Sequence, residues 1–322
     1  MNYSNSIISN TISTPSPKKV KSLQWSGLLD LVKKTTAADR KKYQHKGRQM
    51  SASRLWHLVF PNLSQPIFII GSPRSGTTFL GACIGSLPDV SYHFEPIATK
   101  AAARCIYEQE WGFRKTKWFY RLVYGWLMRI HADGDLRFAD KTPRNCFVVD
   151  FLNQAFPNAQ FVHIIRDGRD AALSHSKKPW MQAAQAKSPK YEPGGYPYGP
   201  YARFWVEPER IAEFESTSDI HRCIWAWRQH TENALDAIAN IPQDRYHELR
   251  YEDLITNTES ETERLLDFLS IDNPASRQHF HDAVSKVRPD SVGLWKNELS
   301  SEQLQQVEQE AGELLRKLNY AD

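Results

Sequence analysis

Cysteine is scarce and scattered. Cys83, Cys105, Cys146 and Cys223 are the only four in 322 residues, and no two stand in C-x-x-C spacing. They read as core thiols of a reducing, cytoplasmic compartment, neither a disulfide frame nor a thiolate zinc site. No run of about 18 apolar residues occurs. The nearest, residues 118–130, is interrupted by Arg121 and Arg129 and reads as a partly buried helix. The Ser/Thr/Asn-rich N-terminus has no apolar core ahead of a cleavage site, so no signal peptide is expected. Acidic residues are almost missing from the first 60 positions, where 11 Lys/Arg face only Asp30 and Asp39. With +4 on the whole chain, the rest must sum to −5. A basic N-terminal arm (1–60) therefore precedes a mildly acidic body (61–322). No nucleic-acid-binding motif accompanies that arm, and a nucleic-acid partner is not expected.

What is present is enough for a sizeable core, with 41% hydrophobic residues. The stretch that organises the chain is 66–80. Ile67 to Ile70 form an apolar, largely β-branched run, as in a strand buried on both faces. Gly71-Ser72-Pro73-Arg74-Ser75-Gly76 makes a turn of small residues, and Thr77 begins a helix running to about Ser86. A strand, a glycine loop and a helix N-terminus form an anion cradle, since loop N–H groups and the helix dipole favour negative charge. Gly71, Gly76 and Thr78 fall in register with a P-loop, but Thr77 occupies its lysine position and the cation stands earlier, at Arg74. Such a loop suits a ligand with a 5′-phosphate and no metal. A tight turn without ligand is the alternative.

Further strands are expected at 90–95, 136–139, 160–165 and 245–249, alternating with helices. The 98–130 helix is expected to break near Gly112 and Gly125. Alternation of this kind predicts a P-loop-type α/β fold, a doubly wound parallel sheet flanked by helices in one main domain with a basic N-terminal extension. Ligands of such sheets bind at the carboxyl ends of the strands, where each polar motif falls. Residues 177–208, rich in Pro, Gly and aromatics, read as a long binding loop or lid. In the arm, residues 1–20 read as disordered. Trp25, Leu28, Leu29 and Val32 share one face of a short helix, and 38–50 reads as a solvated charged face.

Four polar segments then carry a family resemblance over roughly 64–300. The loop 71–78 resembles the 5′-phosphosulfate loop of sulfotransferases that use 3′-phosphoadenosine-5′-phosphosulfate (PAPS). The segment 161–174 resembles that family's 3′-phosphate element, with Arg166 at the strand end and Ser174 eight residues on. Arg250-Tyr251-Glu252-Asp253-Leu254 resembles the motif whose Tyr lies by the adenine, and 288–297 resembles the C-terminal nucleotide loop, with Arg288 toward the 3′-phosphate. Pro289-Asp290 departs from the Lys-Gly of many cytosolic members. Arg at position 74 and Lys141-Thr142-Pro143 look more like the carbohydrate and protein-tyrosine branches than the phenol/steroid branch.

The resemblance implies a PAPS-dependent sulfotransferase, with PAPS as co-substrate and no metal. Arg74, Ser75, Gly76, Thr77, Thr78, Phe79, Arg166, Ser174, Tyr251 and Arg288 would bind the nucleotide. Arg74 and Lys141 would stabilise charge. Glu95 is the expected base, its pKa raised by desolvation, and His93 on the same strand face is the runner-up. Plainer readings stand beside these: an Arg166–Asp170 ion pair at i,i+4, a Lys141 salt bridge to Asp140 or Glu95, and a satisfied strand histidine at 93. The alternative functions are a P-loop kinase-like phosphotransferase and a non-catalytic nucleotide-binding protein. The acceptor is a hydroxyl compound, whether carbohydrate, lipid-like alcohol, phenol or peptide. For the arm, a helix packed on its own domain is the plain reading, and weak, peripheral contact with an anionic membrane is the alternative.

Overall fold

A computed structural model describes residues 25–286 and 289–321. The readings of residues 1–20 and of Arg288 lie outside the described residues. In chain order the elements are α1 (Trp25–Lys42), α2 (Ala52–Val59), β1 (Ile67–Ile70), α3 (Thr77–Ser86), β2 (Val90–Phe94), α4 (Ile97–Tyr107), α5 (Phe113–Ile130), β3 (Arg137–Lys141), α6 (Val149–Ala155), β4 (Gln160–Ile165) and α7 (Gly168–Ser176). Then come α8 (Ile211–Ser216), α9 (Asp219–Ile238), β5 (Tyr246–Arg250), α10 (Tyr251–Thr256), α11 (Thr258–Phe268), α12 (Pro274–Val284), α13 (Trp295–Glu298) and α14 (Ser301–Lys317).

The five strands pair in parallel in the order β2-β3-β1-β4-β5. All four residues of β1 are fully buried, and their alternation divides the interior. Phe68 and Ile70 join the core beneath α4, α5, α6, α7 and α9, whereas Ile67 and Ile69 join the one beneath α3, α11 and α12. From β1 the chain passes out to β2, back to β3 beside β1, and across to β4 on the other side. That reversal opens a crevice at the carboxyl end of β1. Register sets the crevice walls: Phe94 pairs with Lys141, and Ile165 with Arg250.

Three local expectations change. Helix α5 runs unbroken through Gly125, since one glycine costs a helix interior only about 1 kcal/mol and the buried face of α5 outweighs it. The inward face of α1 differs from the apolar stripe, for Leu29 is 75% exposed while Leu28, Leu31, Thr35 and Asp39 face the body. The charge run is also no solvated helix. After Lys42 the chain leaves the helix, Lys46 Nζ donates to Leu87 O at 2.9 Å, and Arg48 pairs with Asp135 at 2.5 Å. These partners are distant in sequence, so periodicity carries no trace of them.

A buried clasp fastens α1 to the sheet. Asp39 Oδ1 lies 3.0 Å from His93 Nδ1, and Oδ2 lies 2.7 Å from His131 Nε2. Tyr43 stacks on His131 and donates to Asp133 at 2.5 Å. Burial pushes the Asp39 carboxyl up, but the facing His93 and His131 imidazoles outweigh it and leave a pKa of about 2. A folded-state pKa below the unfolded value means stability that is present above about pH 4 and lost as pH falls toward 2. We expect Asp39→Asn to lower the melting temperature at neutral pH, by about 2 kcal/mol of stability. The deficit should shrink as pH falls below 4 in thermal melts followed by circular dichroism.

Candidate active site

The loop between β1 and α3 is shaped by two glycines. At Gly71 (φ +147°) a Cβ would stand 2.4 Å from Ile164 O, and at Gly76 (φ +89°) 2.5 Å from the Tyr251 ring. Gly76 is the N-cap residue of α3 and offers no side chain, so the first N–H groups of that helix face the crevice uncapped. Among the described residues six non-glycine residues have positive φ. Gln109, Ala132, Ser270 and Asn319 each follow a helix C-terminus, where the left-handed conformation is ordinary. The other two are Arg74 (φ 71°) and Glu95 (φ 46°), which face one another's loops across the crevice.

On the nucleotide side, Arg74 Nε donates to Ser174 Oγ at 3.1 Å, and an Arg166 guanidinium N–H donates to Arg74 O at 3.0 Å. Arg166 also donates to Ser291 O and lies 4.7 Å from the centre of the Tyr251 ring. Among the described residues no carboxylate pairs with Arg74 or Arg166. Burial and the neighbouring Arg166 charge push the Arg74 pKa down. Ser75 Oγ and Arg166 Nε are buried without a hydrogen-bond partner. An uncapped helix, two uncompensated guanidiniums and two orphaned polar atoms fit a phosphate-bearing anion.

The Arg166–Asp170 ion pair does not form. Asp170 instead accepts from Gly293 N at 2.6 Å and Trp295 N at 3.0 Å, fastening the C-terminal loop over α7. Tyr251 is buried beneath Gly76 and shares a 2.9 Å hydrogen bond with Ser291, so it props the loop from below.

On the acceptor side, Glu95 bridges two lysines: Oε1 to Lys141 Nζ at 2.5 Å and Oε2 to Lys100 Nζ at 2.6 Å. The expectation of a raised pKa is overturned. Burial pushes the carboxyl up, but Lys100 and Lys141 hold it well below the usual range. The structure does not bring His93 to the crevice. Its side chain is fully buried in the Asp39 clasp, because the positive φ at Glu95 ends the two-residue alternation that would put both on one face.

A cavity of about 420 Å³ joins the two sides, from Arg74, Thr77 and Thr78 to Glu95 and Lys141. Residues 177–208 contribute a wall of it. Trp180, Tyr198 and Trp205 line it, and Glu192 is pinned by Arg144 at 3.2 Å and Arg203 at 3.1 Å. Lys42, Lys100, Arg144 and Arg203 line it too, together with His175 and His230, which burial holds neutral with pKa values of about 3. None of these had a sequence signal except their type, since distant segments bring them together. The group Glu213, His221 and Glu310 has metal-ligand proximity, but Arg210 pairs with both carboxylates at 2.8 Å and Arg228 with Glu310 at 2.7 Å.

A doubly wound parallel sheet with a glycine loop, an uncapped helix and guanidiniums without a carboxylate partner at its carboxyl edge defines an α/β protein with an anion-compatible crevice. The chain belongs to the sulfotransferase family, whose profile matches residues 66–275. It is 26% identical over 251 residues to a protein-tyrosine sulfotransferase of Drosophila melanogaster, covering 74% of this chain and 44% of that protein. It is 23% identical over 254 residues to protein-tyrosine sulfotransferase A of Caenorhabditis elegans, covering 74% and 57%. The chain thus spans about half the length of these two relatives. A sulfotransferase structure from Mycobacterium avium shares the fold, with a TM-score of 0.50 and 11% identity over 91% of this chain and 84% of that one.

Gly76→Ala tests the cradle. A methyl group driven into Tyr251 at a left-handed backbone position costs about 1–3 kcal/mol. Calorimetric affinity for 3′-phosphoadenosine 5′-phosphate is expected to fall at least tenfold, a loss of about 1.4 kcal/mol.

Proposed function

We propose that this protein transfers a sulfuryl group from PAPS to the phenolic hydroxyl of tyrosine in a peptide or protein. The observation that carries the reading is the convergence of Arg74, Arg166 and Ser174 around an uncapped helix N-terminus. The relatives named as protein-tyrosine sulfotransferases support the choice of acceptor. PAPS, when bound, supplies the sulfuryl group and a phosphate leaving group. The chain supplies position and charge.

In this reading Arg166 and Ser174 hold the 3′-phosphate, with Tyr251 propping the loop. Ser75 to Phe79, through N–H groups and the Thr77 and Thr78 hydroxyls, hold the 5′ end. Arg74 stays protonated and stabilises the charge that develops on the transferring group. Lys141 is buried between Glu95 and the Phe94 ring, 3.9 Å from its centre, and desolvation pushes its pKa down. A lysine drawn toward a bound anion releases Glu95, whose carboxylate then gains basicity as its counter-charge leaves. Glu95 takes the acceptor proton in that state. The two lysines thus keep the base quiet until the donor is seated.

The direct test is transfer of ³⁵S from labelled PAPS to tyrosine-containing peptides, with phenols, sugars and alcohols as comparison acceptors. Radiolabel in none of them overturns the reading. Glu95→Gln is expected to lose about 10²–10⁴-fold in turnover, the usual worth of a general base, with nucleotide affinity nearly unchanged. Arg166→Ala should weaken 3′-phosphoadenosine 5′-phosphate binding by about 1.5–3 kcal/mol while leaving AMP nearly unaffected. Equal affinity of the intact protein for the two nucleotides speaks against the 3′-phosphate assignment.

A further inference from the structure

Among the described residues, a group of exposed large apolar side chains lies away from the cavity. Helix α2 runs antiparallel to the last turns of α5: Arg54 bonds Ala132 O, Arg129 bonds the carbonyls of Leu58 and Val59 at 2.8 and 2.7 Å, and Pro61 sits against Gly125. This arrangement turns Leu55, Trp56, Val59 and Phe60 outward at 56–62% exposure. The neighbouring face of α5 adds Trp118, Leu122 and Trp126, at i, i+4 and i+8, with 57, 39 and 41% exposure. Three tryptophans and one phenylalanine at these exposures put on the order of 500 Å² of aromatic surface into water. Scattered surface apolar residues need no cause, but a joined patch across two helices does.

The charges around the patch select its occupant. Helix α5 carries Arg114, Lys115, Lys117, Arg121 and Arg129 and no acidic residue. On the far side of α5, α1 joins it through Trp126 Nε1 donating to Thr36 Oγ1 at 2.9 Å and adds exposed Lys33, Arg40 and Lys41. A second copy docked by two-fold symmetry would set these cations against themselves. Residues 18–24 of the same chain bring Lys18, Lys19 and Lys21 and no acid, so they too are repelled. Tryptophan-rich apolar helix faces edged by Lys and Arg match the boundary of an anionic bilayer. No helix among the described residues is long and apolar enough to span a membrane, so the contact is one that lies on the surface.

We propose that the α2–α5 face seats the protein on anionic lipid bilayers, with the aromatic residues at headgroup depth and the α5 and α1 cations on the lipid charges. Thr36, at the edge of the patch, is six residues before the cavity residue Lys42, or roughly 9 Å along α1. The seated protein therefore holds its cavity mouth close to the lipid surface. This inference concerns a binding surface and stands whether or not the proposed reaction is correct.

The experiment is co-sedimentation of the full chain with phosphatidylcholine vesicles, with and without phosphatidylserine, at low and high salt. Binding to the phosphatidylserine vesicles is expected at low salt, falling about tenfold or more at high salt. Two variants, Trp56→Ser with Phe60→Ser, and Arg114→Gln with Lys117→Gln and Arg121→Gln, should each weaken it about tenfold without moving the melting temperature. Brominated lipid should also quench the tryptophan emission of the unaltered chain, a reading that needs no variant. The proposal is overturned by a chain that stays in the supernatant at low salt, by absent quenching, or by variants that bind like the parent. It is equally overturned by light scattering that shows a dimer which Trp56→Ser with Phe60→Ser splits while vesicle binding is unchanged.

Discussion

Uncompensated positive charge at the carboxyl edge of the sheet is the constraint around which the crevice beside β1 is built. Two guanidiniums, Arg74 and Arg166, stand close enough to lower one's pKa, beside a helix end whose N–H groups have no cap. Repulsion would separate them in a plainer fold. Here backbone carbonyls restrain them instead: Arg166 is tied to Arg74 O and Ser291 O, and its own carbonyl accepts from Trp227 Nε1 at 3.0 Å. Of the carboxylates that follow Arg166 in the chain, Asp167 pairs with Arg169 and Asp170 is spent on the N–H groups of Gly293 and Trp295. An anion that binds only the folded state relieves this imbalance and stabilises the fold by mass action.

The opposite wall obeys the opposite rule, because the two carboxylates that line the cavity are each held between two cations. Glu95 lies between Lys100 and Lys141, and Glu192 between Arg144 and Arg203. Removing one member of such a group leaves a buried charge without its partner, which is costly, so the wall is rigid in its resting state. Rigid compensation also explains why a desolvated glutamate has a depressed pKa here. The sign of the shift follows the nearest ammonium groups, and of these the sequence reading offered only Lys141, not Lys100, as a partner of Glu95.

What was legible in the sequence was local. The apolar run 67–70, the glycine loop and Thr77 as helix start follow from residue type and period, and strand–helix alternation led to the parallel sheet. Arg166 and Ser174, singled out by their eight-residue spacing, each bond Arg74. The illegible parts depend on contacts across long sequence distances. Asp39 meets His93 and His131, and Lys46 meets the Leu87 carbonyl. Parity along β2 put His93 and Glu95 on one face. A single left-handed residue at Glu95 undid that inference.

The N-terminal segment shows how far such long-range contacts reach into the chemistry. Residues 25–50 precede the part of the chain that matches the family, yet α1 ends with Lys42 Nζ 3.5 Å over the centre of the Phe94 ring, on the cavity wall beside Glu95. Burial pushes the Lys42 pKa down and the Glu95 charge pushes it back up, so the two groups share one electrostatic environment. Position is set upstream, by the Asp39 clasp one helical turn earlier and by Thr35 Oγ1 accepting from Ala98 N at 2.9 Å. The same α1 backbone touches the aromatic face at Thr36 and the cavity at Lys42. A segment outside the matched region is therefore a structural wall of the cavity, and its charge is part of the electrostatic environment of Glu95.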